Sequence, residues 1–382
     1  MREPTAEERA FRDEVTRFVE AEITPHVREW ERDGHYPTEL FTRFGSLGWT
    51  GIGIPEIRGG SGGGAIERCI LFEELARASA GVALGIYVHA VLAGGALAIV
   101  ASDELRDALL PGVLSGSTIG AWAYAEPNSG ADVTRVQLSA KQRDDVFILD
   151  GTKLYITNGT IADLILVVAR TSGSPGSLEG ISVFAVDGDS AGLTRRSMDK
   201  LGMHPSELGE LHFEEVVVPA NRLVGQIDTG FRQCIPVLSQ GRIFGATLAL
   251  GIGRAALDAA CTHVQAREQF GGPLTKQQAV RFTLADMTAR LAASRTLVYD
   301  AADLLEAGKP YDTAASIAKL VASETGTWLA ERAMHLHGAQ GFMMESPVQR
   351  YYRDCKIIEY GEGANEVQRE MILDAVIKGW RP

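Results

Sequence analysis

Between Ile119 and Asn221 the chain changes its hydrophobic period, and that change limits the fold more than any other feature of the sequence. Runs rich in β-branched and aromatic residues, DVFILDG, KLYITNG, LILVVAR, GISVFAVDG and ELHFEEVVV, are separated by turns of Gly, Ser, Asp and Asn. A parallel crossover needs about a dozen residues, commonly a helix, and no helical pattern stands between these runs. They therefore predict a small, mainly antiparallel sheet or barrel, closed by Val218-Pro219-Ala220-Asn221.

Both flanks are helical. Phe11, Val15, Phe18, Val19 and Ile23 recur at helical spacing from Thr5 to about Arg32, with acids in the first turn. After His35-Tyr36-Pro37 and a short helix comes a glycine-rich connection, Gly48–Gly64, and then helical segments at Glu67–Ala80, Val82–Ala101 and Asp103–Ser115. Beyond Phe231, long Ala- and Leu-rich segments at Arg232–Arg267, Leu274–Ala307, Tyr311–His337 and Val367–Lys378 are long enough for a bundle. The class is α+β, mainly α. Its parts are an N-terminal helical domain (1–118), a central small antiparallel β domain (119–228) and a C-terminal four-helix-bundle domain (229–382), joined without linkers so that the sheet packs against two helical layers.

A net charge of −12 and a pI near 5.2 argue against non-specific binding to nucleic acid or anionic membranes, which needs excess Lys and Arg. Apolar runs such as Ala90–Val100 look too short to span a bilayer, and MREPTAEERAFRDE is charged from its second residue, so nothing indicates export. Cys69, Cys234, Cys261 and Cys355 lie far apart with no C-x-x-C. This predicts reduced thiols and a cytoplasmic protein, with neither a zinc site nor a disulfide framework.

Three glycine or histidine motifs lack the context that would give them chemistry. GGSGGG (Gly59–Gly64) is not followed by G-K-[ST], so it reads as a loop and not as a phosphate cradle. GIGRAALDA (Gly251–Ala259) lies inside a helical run and not after a strand, which points to close helix packing. His335-x-His337 has no Cys, Asp or Glu at a convincing spacing, so no metal site is expected. The remaining candidate is Glu362, held between Gly361 and Gly363 just before a helix started by Asn365 and Glu366. Flanking glycines let the backbone bend sharply and aim a carboxylate into a cavity. An isolated G-E-G is more often a solvated turn, so its surroundings decide.

Those surroundings, YYRDCKI and then EG-x-NE-x-QR within Tyr351–Arg369, resemble the C-terminal signature of the acyl-CoA dehydrogenase family. Further blocks resemble the family in the same order: WAYAEPNSGADV (Trp122–Val133), KLYITNG (Lys153–Gly159), LGMHPSELGELHFEEVVVPANRLVG (Leu201–Gly225), REQFGGPLTKQQA (Arg267–Ala279) and HLHGAQGFMMESPVQRYYRD (His335–Asp354). In register with Glu362 they cover nearly the whole chain.

The resemblance implies an FAD-dependent α,β-dehydrogenation of a saturated acyl thioester, on CoA or an acyl-carrier protein, to the trans-2-enoyl thioester. Glu362 would be the base that takes the α-proton while hydride goes to flavin N5. It implies flavin contacts from Trp122, Tyr124, Ala125, Gly130, Ala131, Tyr155, Ile156 and Thr157, and from Ala364 and Glu366 beside the base. Gln278 would be a further cofactor contact, and Arg267, Gln269, Phe270, His335, Gly338 and Ala339 would reach the FAD of a neighbouring subunit, so a homo-oligomer, a homotetramer by preference, is expected. Ser239, Arg242, Gly361 and Gly363 would border the substrate, and an electron-transferring flavoprotein would accept the electrons.

The chain departs from the family pattern with Ala125 and Ala364 in place of Thr, Ala131 in place of Ser, His335 in place of Gln, Tyr155 in place of Trp, and Ser239 in place of a frequent Asp. Three lost hydroxyls mean fewer side-chain bonds to the cofactor, each worth about 0.5–1.5 kcal/mol. Two other readings follow from the same residues: a catalytically weak partner subunit of a mixed oligomer, or a direct flavin oxidase. No Arg occupies Ala83–Val88, where glutaryl-type members place one, which disfavours a dicarboxylyl substrate.

Overall fold

In the computed structural model, which describes residues 2–381, the N-terminal part contains helices α1 (Ala6–Phe18), α2 (Val27–Asp33), α3 (Glu39–Ser46), α4 (Ala65–Ala78), α5 (Ala80–Val100) and α6 (Asp103–Ser115). Thr5 starts α1 through a capping box: its hydroxyl accepts from Glu8 N–H at 3.2 Å while the Glu8 carboxylate accepts from Thr5 N–H at 2.9 Å. The single helix expected from Thr5 to Arg32 is divided. A π-helical turn at Val19–Ile23 leads into Thr24-Pro25, where proline removes a backbone donor and the α-helix restarts at Val27.

Helix α5 corrects the reading of apolar length. It runs unbroken for 21 residues through a π-helical turn at Val88–Ala93, long and apolar enough to cross a membrane, yet 89% of its apolar window is buried inside the protein. It is a core helix, and Ala90–Val100 is only its second half.

The sheet has eight strands: β1 (Gly120–Ala123), β2 (Ser139–Arg143), β3 (Val146–Thr157), β4 (Leu164–Arg170), β5 (Ile181–Asp187), β6 (Leu193–Ser197), β7 (Leu208–Pro219) and β8 (Leu223–Val224). Their order is β6-β7-β3-β2-β4-β5-β8, with β1 parallel to β4 and the β2–β4 pair also parallel. DVFILDG and KLYITNG, read as separate runs, form one strand, because Gly151 adopts φ 142° and carries the chain past Leu138 without a break. Strand β4 explains how the sheet serves two cores. Its Leu164, Leu166 and Val168 pack with the helices, and its Ile165, Val167 and Ala169 pack inside the curled sheet.

The C-terminal part contains α7 (Gly230–Ala266, 37 residues), α8 (Gln278–Glu306), α9 (Asp312–His337), α10 (Pro347–Ile358) and α11 (Asn365–Ile377). The sequence reading missed α10, which starts on a proline, the residue suited to a first helical position. Glycines on α7 set its spacing from its neighbours. A Cβ on Gly251 would lie 2.4 Å from Glu73 O on α4, so GIGRAALDA is a helix contact. Buried acids of α4 tie the N-terminal helices to the bundle. Tyr299 on α8 donates to Glu73 at 2.6 Å, Arg254 on α7 donates to Glu74 at 2.5 Å, and Arg12 on α1 pairs with both acids.

Candidate active site

The turn from Glu359 to Ala364 joins α10 to α11 and holds Glu362 at φ 56°. For a residue with a side chain this backbone region costs roughly 1–3 kcal/mol and persists where neighbours over-determine it. Two side chains do so here. Gln368 donates to Glu362 O at 3.2 Å and to Gly363 O at 3.0 Å. Lys319, fully buried on α9, donates to Glu359 O at 3.1 Å, Gly363 O at 2.8 Å and Asn365 Oδ1 at 2.8 Å, and Ser323 donates to the same Asn365 oxygen at 3.1 Å. Asn365 opens α11, as expected, but its side chain serves the turn and not the helix end.

The Glu362 side chain lies on a glycine seam of α7. A Cβ on Gly241 would stand 2.7 Å from both Glu362 Oε2 and the Tyr87 hydroxyl, and one on Gly245 would stand 2.9 Å from Glu362 Cγ. The Tyr87 hydroxyl, on α5, donates to Gly241 O at 3.2 Å and lies against the carboxylate. Burial raises the pKa of Glu362 above the usual carboxylate range, while the Tyr87 hydroxyl and the charges of Lys319 and Arg242 oppose that rise. Burial pulls Lys319 down to about 8, although three oxygens around its Nζ favour the ammonium form. Glu359 is engaged elsewhere: its two oxygens accept from Thr327 at 2.6 Å and Lys356 at 2.7 Å.

A cavity of about 560 Å³ opens between the sheet and the α10–α11 turn, within the range of about 300–1,000 Å³ usual for cofactor and ligand sites. Trp122, Tyr124, Ala125, Gly130, Ala131, Tyr155, Ile156 and Thr157 line its sheet side, and Gly361, Glu362, Gly363 and Ala364 its helical side. Glu362 is the one carboxylate in the lining among the described residues. Tyr155 reaches the cavity from a bulge, at φ 60°, where β3 slips register against β7 between Lys153 and Ile156. Beneath this wall Lys153 donates to Tyr124 O at 2.8 Å and to Glu126 at 2.7 Å, and Glu126 accepts the N–H groups of Gln137 and Leu138. That buried pair ties the Tyr124–Ala131 loop to the bulged strand.

The lining fits a flavin. Aromatic walls at Trp122, Tyr124 and Tyr155 suit a flat ring, the hydroxyls of Thr157 and Ser206 suit its polar edge, and nothing stands within 4 Å of where a Cβ on Gly130 would be.

Several predicted residues lie away from this cavity. Arg267, Gln269, Phe270 and Gln278 belong to an exposed hairpin and the start of α8, with Phe270 91% exposed. His335, Gly338 and Ala339 are exposed at the end of α9, and Glu366 points to solvent in the first turn of α11. Ser239 is fully buried, where its hydroxyl accepts from Arg242 at 3.4 Å, so it does not border the cavity. Half-buried Arg242 acts on Glu362 by charge. Residue patterns had pointed neither to Lys319 nor to Tyr87. Lys319 is the one charged residue in the largely apolar AASIAKLVAS and Tyr87 the one phenol in VALGIYVHAV, and that was the available signal.

Three family models match the chain: Acyl-CoA dehydrogenase, N-terminal domain over residues 5–117, middle domain over 121–216, and C-terminal domain over 228–377. The chain is 38% identical over 366 residues to the short-chain specific acyl-CoA dehydrogenase of Megasphaera elsdenii, covering 94% of this chain and 95% of that one. It is 36% identical over 377 residues to the probable acyl-CoA dehydrogenase YngJ of Bacillus subtilis, covering 98% and 99%. Among solved structures, butyryl-CoA dehydrogenase from Megasphaera elsdenii superposes with a TM-score of 0.95 at 36% identity, over 99% of this chain and 100% of that one.

The electrostatics of Glu362 can be tested without any reaction. A carboxylate whose folded pKa is raised favours the folded state below its unfolded pKa and loses that contribution as pH rises through the folded value. Glu362→Gln, which has no charge to bury, should therefore gain stability over wild type in urea titrations as pH rises from about 4 to 8, the two converging at the acid end. A difference that does not depend on pH would mean that the carboxylate is not held in the interior.

Proposed function

Because the chain belongs to the acyl-CoA dehydrogenase family, whose members are FAD-dependent oxidoreductases, we propose that it converts a saturated acyl thioester to the trans-2-enoyl thioester, with Glu362 taking the α-proton. The observation that carries this reading is the position of Glu362 as the sole carboxylate in the cavity lining among the described residues. An α-C–H beside a thioester is a weak acid, so a base for it needs raised basicity, and burial of Glu362 supplies that. The carbonyl must also be polarised as charge develops. The backbone N–H of Glu362 has no acceptor among the described residues and is free to donate to it. Tyr87, Arg242 and Lys319 oppose the rise in the Glu362 pKa and so favour the ionised form that can accept the proton.

The flavin supplies, when bound, the acceptor for the hydride that leaves the β-carbon. Trp122, Tyr124, Ala125, Gly130, Ala131, Tyr155, Ile156 and Thr157 would hold its ring, with Ala364 on the opposite side. Arg267, Gln269, Phe270, Gln278, His335, Gly338 and Ala339 face away from their own cavity, which suits contacts to the cofactor of a second copy, with Arg267 matched to a pyrophosphate by its fork of donors. The protein would then be a homo-oligomer, a tetramer by preference, served by an electron-transferring flavoprotein. Its four free thiols suit the cytoplasm.

The acyl group is drawn from the space beside the base. A Cβ on Gly361 would meet only Ile357 O, at 3.4 Å, so the turn leaves room where a larger residue would intrude. We assign that room to a branched or ring-bearing acyl group, carried on CoA or on a carrier-protein arm.

Three measurements check this account. Glu362→Gln should keep its yellow cofactor and lose substrate-dependent flavin bleaching by about a hundred- to ten-thousand-fold, whereas Glu359→Gln should not match that loss. Near-wild-type bleaching by Glu362→Gln would show that another group is the base. In a thioester panel read the same way, branched or cyclic acyl groups should outpace straight ones, and Gly361→Tyr should reverse the order; preference for straight chains in both proteins would contradict the assignment. Light scattering should report more than one copy per particle in the FAD-loaded protein, and a monomer with full FAD would refute contacts in trans.

A further inference from the structure

Lys319 is a buried ammonium placed where a bundle helix would ordinarily carry an apolar residue, and every acceptor it meets belongs to the segment that carries Glu362. Its Nζ reaches Glu359 O at the start of the turn, Gly363 O immediately after the carboxylate, and the Asn365 side chain at the start of α11. These contacts span the turn on both sides of the one non-glycine residue in it with a positive φ. A buried cation is costly unless it is fully hydrogen-bonded, so the arrangement is specific and not incidental.

We propose that Lys319 is the positioning residue of the reaction: it clamps the strained α10–α11 turn so that Glu362 is aimed at the substrate α-carbon, and its charge favours the ionised carboxylate. The proposal rests on the reading of Glu362 as the base. The groups facing Glu362 are the Tyr87 hydroxyl from α5, Arg242 from α7 and Lys319 from α9. Those acting on Lys319 are Glu362, Glu359 and Glu366 from the turn and α11, and Arg242 from α7. Glu359 is bound by Thr327 and Lys356, and Glu366 points to solvent, so neither takes the place of Glu362 beside α7. Tyr87 is neutral and Arg242 is held to Ser239, which leaves Lys319 as the cation fixed to the backbone of the turn. Removal of that cation disfavours the carboxylate and raises its pKa, so the pH at which the base becomes active moves upward.

The test uses FAD-loaded protein, butyryl-CoA as the probe, and anaerobic bleaching of the flavin between about pH 5 and 7.5, where Lys319 carries its proton. In Lys319→Gln the midpoint of the rise in rate with pH should move up by about one pH unit, and the maximal rate should fall about a hundredfold while half-saturation changes less than about threefold. Lys319→Arg keeps the charge, so it should restore the midpoint and recover about a tenth of the maximal rate. Amide hydrogen exchange over residues 359–365 should accelerate in Lys319→Gln and not in Lys319→Arg. If Lys319→Gln does not fold, Asn365→Ala removes one acceptor of the clamp and leaves the charge; it should lower the maximal rate about tenfold without moving the midpoint. An unmoved midpoint in Lys319→Gln, a Lys319→Arg no better than Lys319→Gln, or wild-type rates in Asn365→Ala would overturn the proposal. Should Glu362→Gln be inert while Lys319→Gln behaves as wild type, the positioning role falls and the base stands. Rapid bleaching by Glu362→Gln would remove both.

Discussion

A carboxylate held partly out of water at the wall of a cavity is the constraint from which the site is built. Glu362 loses part of its hydration where it lies against α7 at the cavity wall, and that loss favours its neutral form, which donors and positive charge oppose. The offset comes from three helices: Tyr87 on α5, Arg242 on α7 and Lys319 on α9. None of the three is adjacent to Glu362 in sequence, so the base exists only once the N-terminal helices, the bundle and the α10–α11 turn have packed together. The Glu73 and Glu74 network on α4 holds α1, α7 and α8 in that packing.

The balance is only partial, and that suits the chemistry. A carboxylate fully neutralised by close ion pairs would be a poor base, whereas one buried with no partner would stay protonated. Here Lys319 is committed to backbone and amide oxygens and Arg242 lies within charge range, so neither forms a direct ion pair with Glu362. The glycines of α7 complete the arrangement by space alone, since a methyl group at position 241 or 245 would occupy the place of the side chain. Across the cavity the sheet contributes the apolar and aromatic wall, stiffened from behind by the Lys153–Glu126 pair.

Much of this was legible in the sequence. The helix–sheet–helix division followed from a change in hydrophobic period, the G-E-G turn was readable from its flanking glycines, and the Trp122–Ala131 and Tyr155–Thr157 stretches from their resemblance to the family's blocks. All three meet at one cavity. The unread part consists of contacts made across long sequence distances. Lys319 lies 44 residues from Gly363 and Tyr87 lies 154 residues from Gly241, and no local pattern connects such pairs. Tertiary context also moved boundaries: DVFILDG and KLYITNG became one strand through Gly151, and one expected N-terminal helix broke at Pro25. Residues at Arg267–Phe270 and His335–Ala339 could be recognised as a set, but one chain does not bring them to its own cavity.

The central claim is that Glu362, held in a fixed turn, stands at the α-carbon of a bound thioester. A crystal structure of the FAD-loaded protein with a thioester that cannot lose its β-hydride would test it most directly. The account predicts a Glu362 oxygen within about 3–3.5 Å of the α-carbon, with Lys319 still donating to Glu359 O and Gly363 O. A different carboxylate at the α-carbon, or a Glu362 turned away from it while the thioester occupies the cavity, would contradict the account.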